Sequence, residues 1–221
     1  MERRKLFLRI DQMLQGSFSL NELNLLFIFQ LDCPGLYSYG IPQANALHRQ
    51  FHDQGLNVLG LSTAYDNPAF NSARNTRLLL LNRLGSPVGS SLWEQDAGLQ
   101  SIDFPVGFDY LVSQDAFETE YLPEFWDHQQ WSFCQNKVRL RAEERPEIRA
   151  FIRRFERVPL TFLFNVFVGV PGWVLFDRHL NIIHRWYGCQ PLPETQLLVA
   201  HWLETQPQAK PAYRPSSPVS W

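Results

Sequence analysis

Residues 23–37, LNLLFIFQLDCPGLY, form an apolar run that ends at a lone cysteine followed by Pro-Gly. A run that is apolar at nearly every position is typical of a strand covered on both faces, which indicates a parallel sheet. After it, small and apolar residues recur at helical spacing over 37–54, and Gly55 stands where a helix would end. A second buried strand is predicted at 56–63. Strand, helix and strand form a βαβ unit, which places Cys33 at the carboxyl end of its strand, where functional loops lie.

The rest of the chain supplies further elements around a segment of different character. Residues 111–160 combine aromatic side chains with charges at helical spacing, which predicts a helical insertion within a single domain over 1–205. Residues 206–221 are rich in Pro and Ser and predict a flexible tail. The remaining predicted elements are a helix at 70–84, a short strand at 101–110 whose Pro105 indicates an edge or a strand end, a strand at 160–169, two antiparallel strands within 173–188 and a helix at 193–205.

Composition limits the classes of partner and compartment. The 221 residues have a formal net charge of −2 and a pI near 6.3, so nothing overall attracts the protein to nucleic acid or to a membrane surface. Three cysteines, an odd number, argue against a disulfide-stapled secreted scaffold and fit a reducing compartment. The start of the chain lacks the apolar core of a signal peptide, and the longest apolar run is roughly a third of what a membrane helix needs. We therefore predict a cytoplasmic protein without nucleic-acid or membrane contacts.

In this order the elements resemble the thioredoxin fold and, more narrowly, the TlpA/ResA-type redoxins, which are thioredoxin-like thiol-disulfide oxidoreductases. The resemblance implies an α/β fold with a central mixed sheet flanked by helices, and it puts the helical insertion before the strand that follows a cis-proline. Four segments support it, FQLDCPGLYSYGIPQANALHRQF (29–51), GLNVLGLSTAYDN (55–67), FPVGFD (104–109) and GVPGWVLFDRHLNIIHRWYG (169–188).

The resemblance also implies the site. In such redoxins one cysteine attacks a disulfide and another, three positions later, resolves the mixed disulfide, whereas here Leu36 takes that second place in a CPGL motif. Cys33 keeps a physical basis for reactivity, because unsatisfied N–H groups at a helix amino end stabilise a thiolate. The resemblance further predicts a cis peptide bond before Pro171, opposite Cys33, with backbone groups that receive an extended substrate. The residues predicted to bind substrate are Pro34, Gly35, Leu36, Val170 and Pro171.

A second thiol could come from elsewhere in the chain. If the strands within 173–188 are antiparallel, the second one finishes at the edge where the first begins, and Cys189 follows that finish. Cys189 is thus a candidate resolving thiol, provided that its Cα atom approaches that of Cys33 to within about 7 Å. The alternative is an unpaired loop thiol. Cys134 is interpreted as a buried small hydrophobic residue rather than a partner of Cys33.

Three functions remain open from the sequence. The leading hypothesis is a monothiol oxidoreductase that acts through Cys33 on a protein disulfide or glutathione, with an external thiol or Cys189 as resolving group. The rival is a redox-inactive module that binds an extended peptide or protein. A thiol peroxidase is less favoured, because peroxiredoxins have Thr or Ser where this chain has Gln30, although Gln30 or Tyr37 could donate a hydrogen bond to a peroxide.

No cofactor and no metal are predicted. The sequence has no Gly-rich phosphate loop, nucleophile elbow or paired zinc cysteines. His48 and His52 have the spacing of a metal pair on one helix face. Nothing nearby completes a site around them, so they are interpreted as part of a solvated helix edge.

Overall fold

Strand β2 (Leu23–Phe29) lies in the interior of a six-stranded mixed sheet, and all seven of its side chains are buried. Such burial requires cover on both faces of the sheet, as the unbroken apolar run predicts. The computed structural model describes residues 4–84, 101–133, 150 and 152–205. Its other strands are β1 (Ile10–Gln15), β3 (Leu56–Ser62), β4 (Val106–Asp109), β5 (Leu111–Val112), β6 (Val158–Pro159), β7 (Gly172–Asp177) and β8 (Ile182–Tyr187).

The sheet has the strand order β1-β4-β3-β2-β7-β8. β2 and β3 are parallel, as are β3 and β4, whereas β1, β7 and β8 each run antiparallel to their neighbours. β5 and β6 form a separate antiparallel pair. This topology confirms the predicted α/β architecture with a central mixed sheet flanked by helices.

Helices supply the cover on the two faces. A π-helical turn at Leu36–Gly40 leads into α1 (Ile41–Phe51), followed by a 3-10 turn at His52–Gln54 and a left-handed Gly55 with φ 104°. Helix α1 and the C-terminal helix pack on one face, against the odd-numbered side chains of β2. The other helices are α2 (Ala73–Leu80), α3 (Gln114–Ala116) with a π-helical turn at Phe117–Tyr121, α4 (Leu122–Phe133), α5 (Leu160–Phe164) and the C-terminal α6 (Leu192–Thr205).

The opposite face is covered by the N-terminal segment and by residues around α5. Leu6, Phe162 and Phe167 pack there against the even-numbered side chains of β2. Beside them, α4 and β6 contribute Phe125 and Val158 to a separate apolar cluster. No helix within the described ranges combines the length and apolarity needed to cross a bilayer.

Two local predictions were wrong, and one strand was missed. Residues 160–164 form helix α5 instead of a strand, because the carboxylate of Asp109 accepts hydrogen bonds from the backbone N–H groups of Thr161 and Phe162 at 2.9 and 3.1 Å. Helix α2 is shorter than predicted, since the Ser72 side chain caps its start. Strand β1 was not predicted at all.

Candidate active site

One edge of the sheet gathers the loops that hold the predicted site residues. The register pairs Phe29 with Ser62, Ile28 with Gly172, and Gly172 with Tyr187. The carboxyl ends of β2, β3 and β8 and the start of β7 therefore meet at this edge. Cys33 follows β2, Pro171 precedes β7 and Cys189 follows β8, so all three lie at the same edge.

The Cys33 thiol is partly exposed and faces the loop before β7. Its Sγ atom lies 3.4 Å from the carbonyl oxygen of Val170, and the thiol donates to it. The Val170–Pro171 bond is cis. The backbone of the CPGL turn is closed by Leu36 N–H, which donates to the Cys33 carbonyl at 3.0 Å. This geometry brings a thiol and a backbone carbonyl together beside a proline, with Pro34 exposed and Gly35 and Val170 partly exposed.

Leu36 does not contribute to a binding surface. Its side chain is 0% exposed and packs into the core formed by α1 and β2. The prediction that Leu36 contacts substrate is therefore corrected. The position that holds a second cysteine in the redoxins is a core position here, because the helix turns it inward.

Side chains from the loop after β3 hold the residues before the CPGL turn in place by hydrogen bonds. Asn71 is 1% exposed, and its side-chain oxygen accepts from the backbone N–H of Leu31 at 2.7 Å. Its amide nitrogen donates to the Asp32 carboxylate at 2.9 Å, and Asn67 donates to the other oxygen of that carboxylate at 3.1 Å. Two amides therefore fix the residue that precedes Cys33. The sequence analysis missed Asn71, and no local pattern indicates it, since its partners lie about forty residues away.

Tyr39 lies between the two thiol loops. A Cβ atom added at Gly35 would lie 2.6 Å from the Tyr39 hydroxyl oxygen, so a larger residue there would require the Tyr39 side chain to shift, and a Cβ atom at Gly188 would lie 3.7 Å from the same oxygen. Burial, followed by the nearby Cys33 and Cys189, raises the pKa of Tyr39. The hydroxyl is therefore protonated at neutral pH and is flanked by both sulfur atoms. Sequence analysis missed this residue too.

Cys189 is exposed, and both it and Cys33 are free thiols. Its loop is tied to the proline loop, because Gly188 N–H donates to the Pro171 carbonyl at 2.9 Å. Cys134 lies outside the described residues.

The side chains considered for peroxide binding are engaged elsewhere. The amide of Gln30, 3% exposed, donates to the Asp66 carbonyl at 2.9 Å. The Tyr37 hydroxyl donates to the Leu31 carbonyl at 2.8 Å. Both groups thus support the backbone of the site and do not face the thiol as free donors.

The two histidines that were considered as a metal pair lie side by side. The rings of His48 and His52 lie 4.7 Å apart, and burial followed by His52 lowers the pKa of His48. In the part of the chain that the structure describes, no three His, Cys, Asp or Glu side chains are grouped closely enough to hold a metal ion.

The architecture matches solved structures of thioredoxin-like proteins. A thiol-disulfide isomerase from Corynebacterium glutamicum superposes with a TM-score of 0.56 at 17% identity, over 91% of this chain and 97% of the isomerase. A protein described as thioredoxin-like superfamily gives a TM-score of 0.55 at 17% identity, over 90% of this chain and 96% of that one. No family model matches the sequence, and no curated protein matches it. The chain therefore has a thioredoxin-like fold, with a thiol and a cis-proline at one sheet edge.

Proposed function

We propose that this protein is a thiol-disulfide oxidoreductase that acts through Cys33 as its single motif nucleophile. The observation that supports it best is the position of the Cys33 sulfur, partly exposed and 3.4 Å from the Val170 carbonyl oxygen beside Pro171. A substrate that approaches this sulfur also meets the backbone of residues 169–171. The fold shared with a thiol-disulfide isomerase agrees with this role.

The proposed reaction has two exchange steps. The Cys33 thiolate attacks one sulfur of a disulfide R–S–S–R′, the Cys33–S–S–R bond forms, and R′–S⁻ leaves and takes a proton from solvent. A glutathione thiolate then attacks the sulfur of R, which forms R–S–S–G and restores the Cys33 thiolate. The sum is R–S–S–R′ and glutathione converted to R–S–S–G and R′–SH, so electrons and protons balance.

Cys189 could replace glutathione in the second step. It would attack the Cys33 sulfur, release R–S⁻ and leave a Cys33–Cys189 disulfide, which two further glutathione molecules would reduce. Both thiols are free, and this route needs the exposed Cys189 sulfur to move into bonding distance of Cys33, near the Tyr39 hydroxyl. Resolution by an external thiol needs no such movement, and we favour it.

Treatment of the full chain with oxidised glutathione tests the proposal. Intact-mass and peptide mass spectrometry should find one glutathione on Cys33 in the wild type, the same adduct in Cys189→Ser, and none at this position in Cys33→Ser. Turnover of a small mixed disulfide with glutathione should be lost in Cys33→Ser and kept in Cys189→Ser. An adduct confined to Cys189 would contradict the proposal, and dependence of turnover on Cys189 would assign the internal route.

One observation favours a second function. The position of the resolving cysteine is filled by a fully buried leucine, while the backbone at Val170 stays partly exposed. This arrangement suits a redox-inactive module that binds an extended peptide. A folded wild-type protein whose Cys33 alkylates with iodoacetamide but forms no mixed disulfide, and turns over none, would support this second function over the first.

A further inference from the structure

A group of basic side chains lies on the sheet face away from α1, apart from the thiol edge. Arg4 belongs to the N-terminal segment, where its carbonyl accepts from the N–H of Ile182 at 2.8 Å. Arg185 lies on β8, and His128 lies on α4. We call Arg4, His128 and Arg185 the basic cluster.

Asn165 and Phe7 connect the members of the cluster. Arg185 Nη1 donates to the Asn165 carbonyl at 3.2 Å. The Asn165 side chain in turn accepts from the Phe7 N–H at 3.0 Å and donates to the Phe7 carbonyl at 2.7 Å. The Phe7 ring lies 6.0 Å from the His128 ring, edge to face. The cluster is therefore connected by hydrogen bonds and a ring contact through the buried Asn165, while Arg185 itself is exposed.

Several nitrogen atoms of the cluster are buried without a hydrogen-bond partner among the residues that the structure describes. They are Nε and Nη2 of Arg4 and Nε2 of His128. Buried polar groups in native proteins are almost always paired, so these unpaired nitrogens leave positions that a water molecule or an anion can fill. Two of the three atoms belong to one guanidinium, whose planar fork matches a two-oxygen acceptor.

Among the described residues, no carboxylate balances the positive charge of the cluster. Burial, followed by the like charge of Arg185, lowers the pKa of Arg4 to about 10, and burial followed by Arg4 lowers the pKa of His128 to about 4. Within the described ranges, ion pairs with carboxylates are made by Arg49, Arg153 and Arg178, but by neither Arg4 nor Arg185. Two guanidiniums are thus close together without an acid between them, which costs free energy unless an anion joins them.

We propose that the basic cluster is a binding site for a dianionic oxyanion of the phosphate or sulfate type, held by the guanidiniums of Arg4 and Arg185 with His128 nearby. Two fixed positive charges match two negative ones, and the two unpaired guanidinium nitrogens of Arg4 match acceptor oxygens of such a group. Nε2 of His128 adds a third donor in the tautomer that carries the proton on this atom. Arg185 is exposed and Arg4 is partly exposed, so the ligand enters from the solvent side of β8. This site is separate from Cys33 and does not depend on the proposed thiol chemistry.

Titration of the full chain with inorganic phosphate at constant ionic strength tests the site. Isothermal calorimetry should show binding to the wild type that weakens by at least about tenfold in Arg185→Gln and in Arg4→Gln, since each removes charged hydrogen bonds. Arg74→Gln, which changes an exposed arginine on α2, is the matched control and should bind within about twofold of the wild type. The His128 imidazole signals, assigned by comparison with His128→Gln, should shift on phosphate addition in the wild type and not in Arg185→Gln.

The choice of anion distinguishes the ligand classes. Sulfate should compete with phosphate, whereas acetate at the same ionic strength should compete much more weakly, because it has one charge and two oxygens. Equal competition by acetate would overturn the dianion assignment. Absence of phosphate binding to the wild type, or an equal loss in Arg74→Gln, would overturn the site itself. Because Arg185 is exposed, its variant is expected to fold, which keeps the test decisive if Arg4→Gln does not.

Discussion

Asp109 is a carboxyl group with no exposed surface at the end of β4. Its oxygens accept from the N–H groups of Thr161 and Phe162, as described above, and from the Thr63 hydroxyl at 2.9 Å. Burial raises the pKa of Asp109 to about 6, although these hydrogen bonds oppose the rise. The folded state therefore binds a proton that the unfolded state has already released between about pH 4 and pH 6.

This proton makes a testable contribution to stability. Since the folded pKa exceeds the unfolded one, the contribution of Asp109 is complete below about pH 4 and is lost as the pH rises through about 6. Urea denaturation should show that the unfolding free energy of the wild type, relative to Asp109→Asn, falls by about 2–3 kcal/mol between pH 4 and pH 7. A constant difference between the two proteins over this range would contradict the prediction.

Asp177 offers a control of opposite sign. Burial acts to raise the pKa of Asp177, but hydrogen bonds from Asn181 and His179 outweigh burial and lower it. Its contribution is therefore present at neutral pH and lost as the pH falls. Wild type compared with Asp177→Asn should show a difference that grows with pH, the reverse of the Asp109 pair.

At the scale of elements, the loop between α5 and β7 is the most constrained segment near Cys33. Val166 has φ 51°, in the left-handed region that a β-branched residue rarely adopts. Its neighbour Phe167 is buried against the rings of Phe162 and Tyr187, at 5.8 and 6.2 Å between ring centroids. This packing holds the loop in place, so the backbone strain at Val166 persists next to the Val170 carbonyl.

Replacement of Val166 by glycine should relieve this strain. We expect Val166→Gly to raise the unfolding free energy by about 1 kcal/mol, measured by urea denaturation. Val168→Gly is the matched control in the same loop, because Val168 is 79% exposed and has no positive φ. The control should lose stability by a few tenths of a kcal/mol, roughly up to 1, through the entropy of the unfolded chain. Equal destabilisation by both changes would show that Val166 is not strained.

The elements that sequence predicted correctly are those with a strong periodic pattern of their own. β2 and β3 are mostly apolar because both faces are covered, and α1 and α6 repeat at helical spacing, so their placement follows from local residues alone. The segment 160–169 is also mostly apolar, but its first half, residues 160–164, forms a helix, because Asp109, about fifty residues earlier, satisfies the first N–H groups of α5. The sequence pattern of β1 is only weakly typical of a strand. In the folded protein this strand is stabilised by its pairing with β4.

The candidate site also contains residues that the sequence predicted and residues that it did not. Cys33 was placed from the order of the elements and Pro171 from the resemblance to the redoxins, and the antiparallel pairing of β7 with β8 brings Cys189 to their edge. Asn71 and Tyr39 were not found, because their roles arise from contacts between loops that are close only after folding. A buried amide side chain that hydrogen-bonds to the end of a strand, as Asn71 does, cannot be distinguished in the sequence from any other polar residue.

At the scale of the whole molecule, the helical turn that begins at Leu36, just after Cys33, contributes to both the site and the core. Leu36 follows the nucleophile by three residues, yet its side chain belongs to the apolar core that joins α1, the sheet and α6. A cysteine at this position would give up core packing to gain a second thiol. Large-to-small changes of a buried leucine cost about 2–5 kcal/mol, out of a total stability of about 5–15 kcal/mol for proteins of this kind.

Leu36→Cys should therefore fold with reduced stability and gain dithiol activity. We expect a loss of about 2–3 kcal/mol in unfolding free energy, because cysteine retains part of the buried volume. Reduction of a protein disulfide by dithiothreitol-recycled Leu36→Cys should exceed that by the wild type at least about tenfold, because an adjacent thiol resolves the mixed disulfide without a second molecule. Leu36→Ala is the control: it opens at least as large a cavity without a thiol, so it should lose stability and stay inactive. If Leu36→Cys is folded and no faster than Leu36→Ala, then position 36 is not within reach of Cys33, and the edge described here is not arranged as a dithiol site.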